Sequence, residues 1–117
     1  MEFWPSNWTT MSQNSFDTAL DVLANKVRRR LLVALLEHDP QDATGPQILS
    51  DGEMGDKDRE SLRIAMFHSH LPKLEEEGFI EWDRDSNSVH KGTHFGAIRP
   101  LLELLQNHSD ELPDGWP

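Results

Sequence analysis

The sequence predicts a mainly α-helical domain of the α+β class, in which a long helix leads into a small β-hairpin and a last helix follows. Three observations support this prediction: apolar residues recur at helical spacing in four stretches, Gly78 follows the longest of them, and an alternating stretch after Gly78 precedes a run of turn residues. A chain of 117 residues has room for one domain with a single modest core.

The first two helices are predicted at 16–24 and 26–37. Ser15 and Asn25 are suited to cap their N-termini, because a short polar side chain accepts hydrogen bonds from the first free backbone N–H groups of a helix. The Asp39-Pro40 pair ends the second helix. The chain before Ser15, residues 1–14, reads as an N-terminal arm.

A loop and a short helix at 47–50, opened by Pro46, precede the long helix, which is predicted from Lys57 or Asp58 to Glu77. Gly78 ends the long helix in a C′ position. Its apolar stripe comprises Ile64, Phe67, Leu71 and Leu74. Pro72 is expected to bend the helix without dividing it, because the stripe continues past the proline.

The hairpin is predicted from strands at 79–83 and 89–91, joined by the turn residues 85–88. The last helix carries Phe95, Ile98, Leu101, Leu102 and Leu105 at helical spacing. Pro100 either opens this helix or kinks it. The domain therefore extends over 15–108, and residues 109–117 read as a C-terminal tail.

The charge balance argues against nucleic acid at first, because 21 acidic residues outnumber 11 basic ones and the net charge is -10. The scarcity of lysine beside abundant acid resembles proteins of halophilic archaea. At about 1 M salt the Debye length is about 3 Å, so local contacts outweigh net charge. The stretches 22–36, 61–74 and 86–102 contain no carboxylate yet keep basic residues, which favours a patterned surface.

The order of helices, long helix, hairpin and final helix is that of a winged helix-turn-helix. The segment His70-Leu71-Pro72-Lys73-Leu74, followed by Gly78-Phe79-Ile80, resembles the recognition-helix end and first wing strand of arsenic-repressor-like (ArsR-type) regulators. Together with residues 19–32, it is similar to a haloarchaeal winged-helix family. The resemblance covers about residues 15–106.

The resemblance implies a homodimeric, DNA-binding transcription regulator, with the long helix in the major groove and the hairpin as a wing on the backbone. The side chains predicted to contact DNA are Arg63, Ala65, Met66, His68, Ser69, Lys73, Arg84, His90 and Lys91. A C-terminal dimerisation helix is predicted to pair two copies through Phe16, Ile98, Leu101, Leu102 and Leu105. The alternative is that this helix only covers its own domain.

An alternative is a protein-interaction module that kept the winged-helix fold and lost DNA contact, which the net charge and the acidic run Glu75 to Glu77 favour. The basic run Arg28 to Arg30 has two interpretations: contacts to phosphate, or ion pairs within the chain with acids such as Asp21 and Glu37.

Other classes of function are disfavoured. The chain has no cysteine, and His68 and His70 diverge on a helix, so no metal site is expected. We find no phosphate-cradling glycine loop and no nucleophile motif, so we expect no enzymatic activity, no cofactor and no small-molecule substrate. Since neither a signal-peptide pattern nor an apolar run of about 20 residues is present, a cytoplasmic protein without membrane contact is expected.

Overall fold

The structure is a computed structural model that describes residues 16–45, 48 and 55–117. Its described elements, in chain order, are helix α1 (Phe16–Leu23), helix α2 (Lys26–Glu37), strand β1 (Gln41–Asp42), helix α3 (Asp56–Ala65), a π-helical segment (Met66–His70), helix α4 (Leu71–Glu76), strands β2 (Ile80–Asp83) and β3 (Ser88–Lys91), helix α5 (Phe95–Asn107) and a 3-10 turn (Ser109–Glu111). The predicted α+β class and the helix-hairpin-helix order are confirmed. The predicted arm, Ser15 and most of the short helix at 47–50 lie outside the described residues.

Helices α1 and α2 form a corner held by side chains of the second helix. Asn25 caps α2 as predicted, because its Oδ1 accepts hydrogen bonds from the N–H groups of Val27 at 2.8 Å and Arg28 at 3.2 Å. The guanidinium of Arg28 donates to the carbonyl oxygen of Val22 at 2.8 Å, and that of Arg29 donates to Leu23 at 2.9 Å. The last carbonyls of a helix lack partners within it, so these two arginines complete α1.

The sheet has three strands, one more than the sequence predicts. Strand β1 pairs antiparallel with β3, with Gln41 opposite Val89, and the sheet order is β1-β3-β2. A strand of two residues has no alternation to reveal it, so its pairing depends on a hairpin that lies far along the chain. Val89 is also opposite Trp82 and is completely buried, which ties both pairings to the core.

The long helix, formed by α3, the π-helical segment and α4, is continuous through Pro72. The N–H of Leu71 donates to the carbonyl oxygen of Met66, five residues back, instead of to the residue four back. A proline ring clashes with the carbonyl four residues earlier, and the wider π turn just before Pro72 accommodates it. The helix therefore accommodates Pro72 by including one extra residue in the turn before it.

Gly78 ends the long helix in the left-handed region, with φ of 80°. The N–H of Phe79 donates to Leu74 and that of Gly78 donates to Glu75, both at 3.0 Å, which is the Schellman arrangement. The chain then enters β2 directly. Phe79 and Ile80 are buried against the core, so the helix end and the start of the hairpin are packed as one unit.

Helix α5 passes through Pro100 in its interior, so this proline does not open the helix. The predicted tail folds back onto the domain: the indole Nε1 of Trp116 donates to Gln106 at 3.0 Å, and Gly115 accepts a hydrogen bond from Arg29 at 3.0 Å. In the ranges 16–45, 48 and 55–117, no helix is long and apolar enough to cross a membrane.

Candidate nucleic-acid interface

The exposed face of the long helix begins in α3 and continues across the π-helical segment. Arg63, Ile64, His68 and Ser69 are exposed there, while Leu71 and Leu74 are completely buried on the other side. Between residues 61 and 74 the chain has no carboxylate, so this face presents one guanidinium, an apolar side chain, a hydroxyl and an imidazole. We refer to Arg63, Ile64, His68 and Ser69 as the outer face.

Two predicted positions on this helix are wrong. Met66 is completely buried, whereas it was expected to face outward, and Ile64 is 51% exposed, whereas it was assigned to the apolar stripe. The physical reason is the π turn, which puts Met66 and Leu71 on one side although they are five residues apart. The prediction assumed a constant period of 3.6 residues counted from Phe67. A π turn contains one residue more, so that period assigns Met66 and Ile64 to the wrong sides of the helix.

The remaining predicted residues of the helix have mixed surroundings. Ala65 and Lys73 are half-buried, and the Nζ of Lys73 lies 2.8 Å from the Asp21 carboxylate on α1. The hydrogen bond and the charge of Lys73 hold the pKa of Asp21 below its usual range. The ammonium of Lys73 therefore already forms an ion pair within the chain.

His70 connects the long helix to the corner between α1 and α2. It is buried, and its Nδ1 lies 3.2 Å from Arg28 Nη1. A guanidinium has no acceptor, so this imidazole nitrogen accepts and the ring carries its proton on Nε2. Burial, and secondly the charge of Arg28, lowers the pKa of His70, which keeps the ring neutral at pH 7.

In the hairpin, the three predicted wing residues make contacts within the chain. Arg84 is 3.1 Å from Glu75 and its guanidinium lies 4.2 Å from the ring centroid of Trp82. His90 Nδ1 is 3.1 Å from Asp39. The Nζ of Lys91 lies 5.5 Å from the ring centroid of Phe95.

An aromatic stack fixes the hairpin to the long helix. The rings of Phe67 and Trp82 are stacked with their centroids 5.8 Å apart and an interplanar angle of 21°. Arg84 covers the same indole and pairs with Glu75 on α4, so both contacts connect the hairpin to the long helix. A partner that contacts the outer face therefore meets the hairpin in a fixed place beside it.

The charge pattern around the outer face is mixed. Between residues 55 and 91 there are nine carboxylates and six basic side chains. Three of the basic side chains, Arg59, Lys73 and Arg84, form ion pairs. Within the part of the chain that the structure describes, Lys57, Arg63 and Lys91 make no ion pair, so their charges are available to an anionic partner.

The predicted dimer residues fall into three groups, which are buried, exposed and half-buried. Ile98 and Leu102 are completely buried in the chain's own core, so their assignment to a dimer surface was wrong, because a core side chain presents nothing to a second copy. Phe16 is 65% exposed, and Leu104, which was not predicted, is 56% exposed. Leu101 and Leu105 are half-buried.

A groove of about 350 Å³ lies between α1, α5 and the returning tail. It is lined mainly by apolar side chains, among them Leu20, Leu105, Leu112 and Trp116. The exposed residues Phe16 and Leu104 belong to the same two helices. Among the described residues, no group of three or more metal-ligating side chains lies close enough to hold an ion.

A family model described as a domain of unknown function, DUF7344, matches residues 20–90 of the chain. The matched range runs from α1 through most of the hairpin and includes the outer face. No curated protein and no solved structure matches the chain.

Proposed function

The chain belongs to the DUF7344 family, whose function is unknown, and we propose from the geometry above that it binds double-stranded DNA as a homodimeric transcription regulator of the winged helix-turn-helix type. In this proposal the long helix is the recognition helix and the hairpin is the wing. The sheet order β1-β3-β2 and the stack of Trp82 on Phe67 support it, because they hold the hairpin beside the helix.

The observation that carries the proposal is the outer face. It is exposed, it contains no carboxylate, and it lies on an α-helix, the element that fits the major groove of B-DNA. The rest of the surface is rich in acid, so this face is the part of the long helix that an anionic duplex approaches with the least repulsion.

The roles within the outer face follow from side-chain chemistry. Ile64, at 51% exposure, replaces the buried Met66 as the apolar group that contacts a thymine methyl. Ser69 and His68 offer hydrogen bonds to base edges, while Arg63 binds phosphate or a guanine edge. Lys91 and Lys57 add phosphate contacts.

Dimer formation is proposed through α1 and α5. Phe16, Leu20 and Leu104 are large apolar side chains that are 47–65% exposed. Leu20 lines the apolar groove, and Phe16 and Leu104 lie on the two helices that form it. Burying them against a second copy removes apolar surface from water, at about 25 cal/mol per Å². Binding to two successive major grooves requires such a pair to hold its recognition helices about 34–36 Å apart, one turn of B-DNA.

The proposal is tested by selecting genomic DNA fragments and measuring affinity by fluorescence anisotropy at several KCl concentrations. Arg63→Gln is expected to weaken binding about tenfold and to reduce the slope of log K against log[KCl] by about one per protomer, because one phosphate or base contact is lost. Arg99→Gln on α5 removes the same charge and is expected to bind as the unaltered chain does. Failure of every fragment to bind, or equal weakening by both substitutions, contradicts the proposal.

A second candidate is a protein-interaction module, which the nine carboxylates around the hairpin and long helix favour. Its partner would be a basic protein that also covers Ile64. In that case the unaltered chain binds no DNA fragment, and Ile64→Glu abolishes capture of the partner without changing the melting temperature.

A further inference from the structure

Two cationic side chains from other helices bind neighbouring residues of the first helix and connect it to the long helix. Lys73 on α4 forms an ion pair with Asp21 on α1, with Nζ and Oδ2 separated by 2.8 Å. Arg28 on α2 donates to the carbonyl oxygens of Asp21 at 3.0 Å and Val22 at 2.8 Å, and also contacts His70 at 3.2 Å.

The contacts of Arg28 make the Asp21–Lys73 ion pair different from an isolated surface pair, because they order part of it in advance. Exposed pairs contribute little when both side chains must be ordered to form them. Here Arg28 fixes the backbone of Asp21 to the long helix three residues before Lys73, so the carboxylate is already in position. Lys73 is half-buried, which further limits the places its ammonium occupies.

Lys73 lies four residues, about one turn, after Ser69 of the outer face, so a phosphate beside that face and the Asp21 carboxylate compete for the same ammonium. If Lys73 turns to a phosphate, Asp21 loses its partner and its negative charge remains beside the duplex. Both consequences disfavour DNA binding, and both disappear when α1 no longer presents a carboxylate at this position.

We propose that Asp21 acts as an autoinhibitory latch, which holds Lys73 on α1 and weakens DNA binding until the pair opens. This inference rests on the proposed function, and it adds a means of regulation that lies in α1. The helix α1 also carries Phe16 and Leu20, so the latch lies on the helix that we propose to contact a second copy.

The test compares Asp21→Asn with Asp17→Asn in the full chain. Asp17 lies four residues earlier on the same helix, is exposed and makes no ion pair among the described residues, so both substitutions change the net charge equally. We expect Asp21→Asn to bind DNA about threefold more tightly than Asp17→Asn at low salt. The difference should decrease as the KCl concentration rises, because the carboxylate and the phosphate compete for the ammonium by charge.

A double-mutant cycle assigns the gain to Lys73. In a Lys73→Gln background, Asp21→Asn is expected to bring no more tightening than Asp17→Asn, because the latch then has no partner to release. If the unaltered chain binds DNA and the two aspartate substitutions have equal effects, the latch is wrong while the proposed function stands. If none of the variants binds any DNA fragment, both are wrong.

Discussion

Replacing Gly92 with alanine is expected to destabilise the domain by about 3 kcal/mol or more, among the largest effects of any single substitution. A Cβ at this position would lie 2.7 Å from the backbone nitrogen of Ile80 and closer still to the carbonyl oxygen of Gly78. Both are main-chain atoms in the junction between helix and sheet, so neither moves alone. The change is measured as a loss of free energy of unfolding in urea.

The matched control is Gly96→Ala. A Cβ there meets no atom within 4 Å, and the residue lies in α5, where alanine is favoured over glycine by roughly 0.5–1 kcal/mol. Gly96→Ala is therefore expected to stabilise the domain. Equal effects of the two substitutions would contradict the close packing of Gly92 against Gly78 and Ile80.

Met66→Ala is expected to cost about 2–5 kcal/mol, because a completely buried side chain leaves a cavity when it is truncated. Ile64→Ala, two residues earlier, is expected to change the free energy of unfolding by less than about 0.5 kcal/mol, since half of the side chain is in solvent. Thermal or urea unfolding of both variants measures the difference.

This pair tests the π-helical segment itself. A regular α-helix counted from Phe67 would bury Ile64 and expose Met66, and the order of the two effects would then be reversed. The pair also separates stability from function, because Ile64→Ala is expected to fold normally and to lose affinity for DNA.

Much of the fold follows from local chemistry. The capping by Asn25, the end of the long helix at Gly78 and the alternation of the hairpin strands each depend on a few neighbouring residues, and each is found as the sequence predicts. Strand β1 escapes prediction because its two residues are defined by a partner strand more than forty residues away.

The candidate site was harder to predict because one helical turn changes which side of the helix is exposed. Pro72 indicates in the sequence that the helix is irregular. The consequence is a five-residue hydrogen bond from Leu71 to Met66, which buries both side chains in the core, and only the folded structure reveals it. The pairing of Lys73 with Asp21 was also missed, since it joins helices that are distant in sequence.

The same reasoning explains the basic run on α2. Arg28 and Arg29 were expected to contact phosphate or acidic side chains, but they donate mainly to backbone carbonyls at the end of α1. Carboxylate spacing in the sequence does not reveal such partners, because every residue carries a carbonyl. Among the basic side chains of residues 55–91, those that make no ion pair with a described residue and can meet an anionic partner are Lys57, Arg63 and Lys91.

The central claim, that the outer face contacts a duplex, is tested most directly by photocrosslinking from position 64. A photoreactive phenylalanine analogue replaces Ile64 or, in a separate variant, Leu104, since the two side chains are 51% and 56% exposed. Crosslinks from position 64 to bound DNA, with crosslinks from position 104 only to a second copy of the chain, are the expected result. Crosslinks from position 64 to protein alone, in the presence of genomic fragments, would contradict the claim.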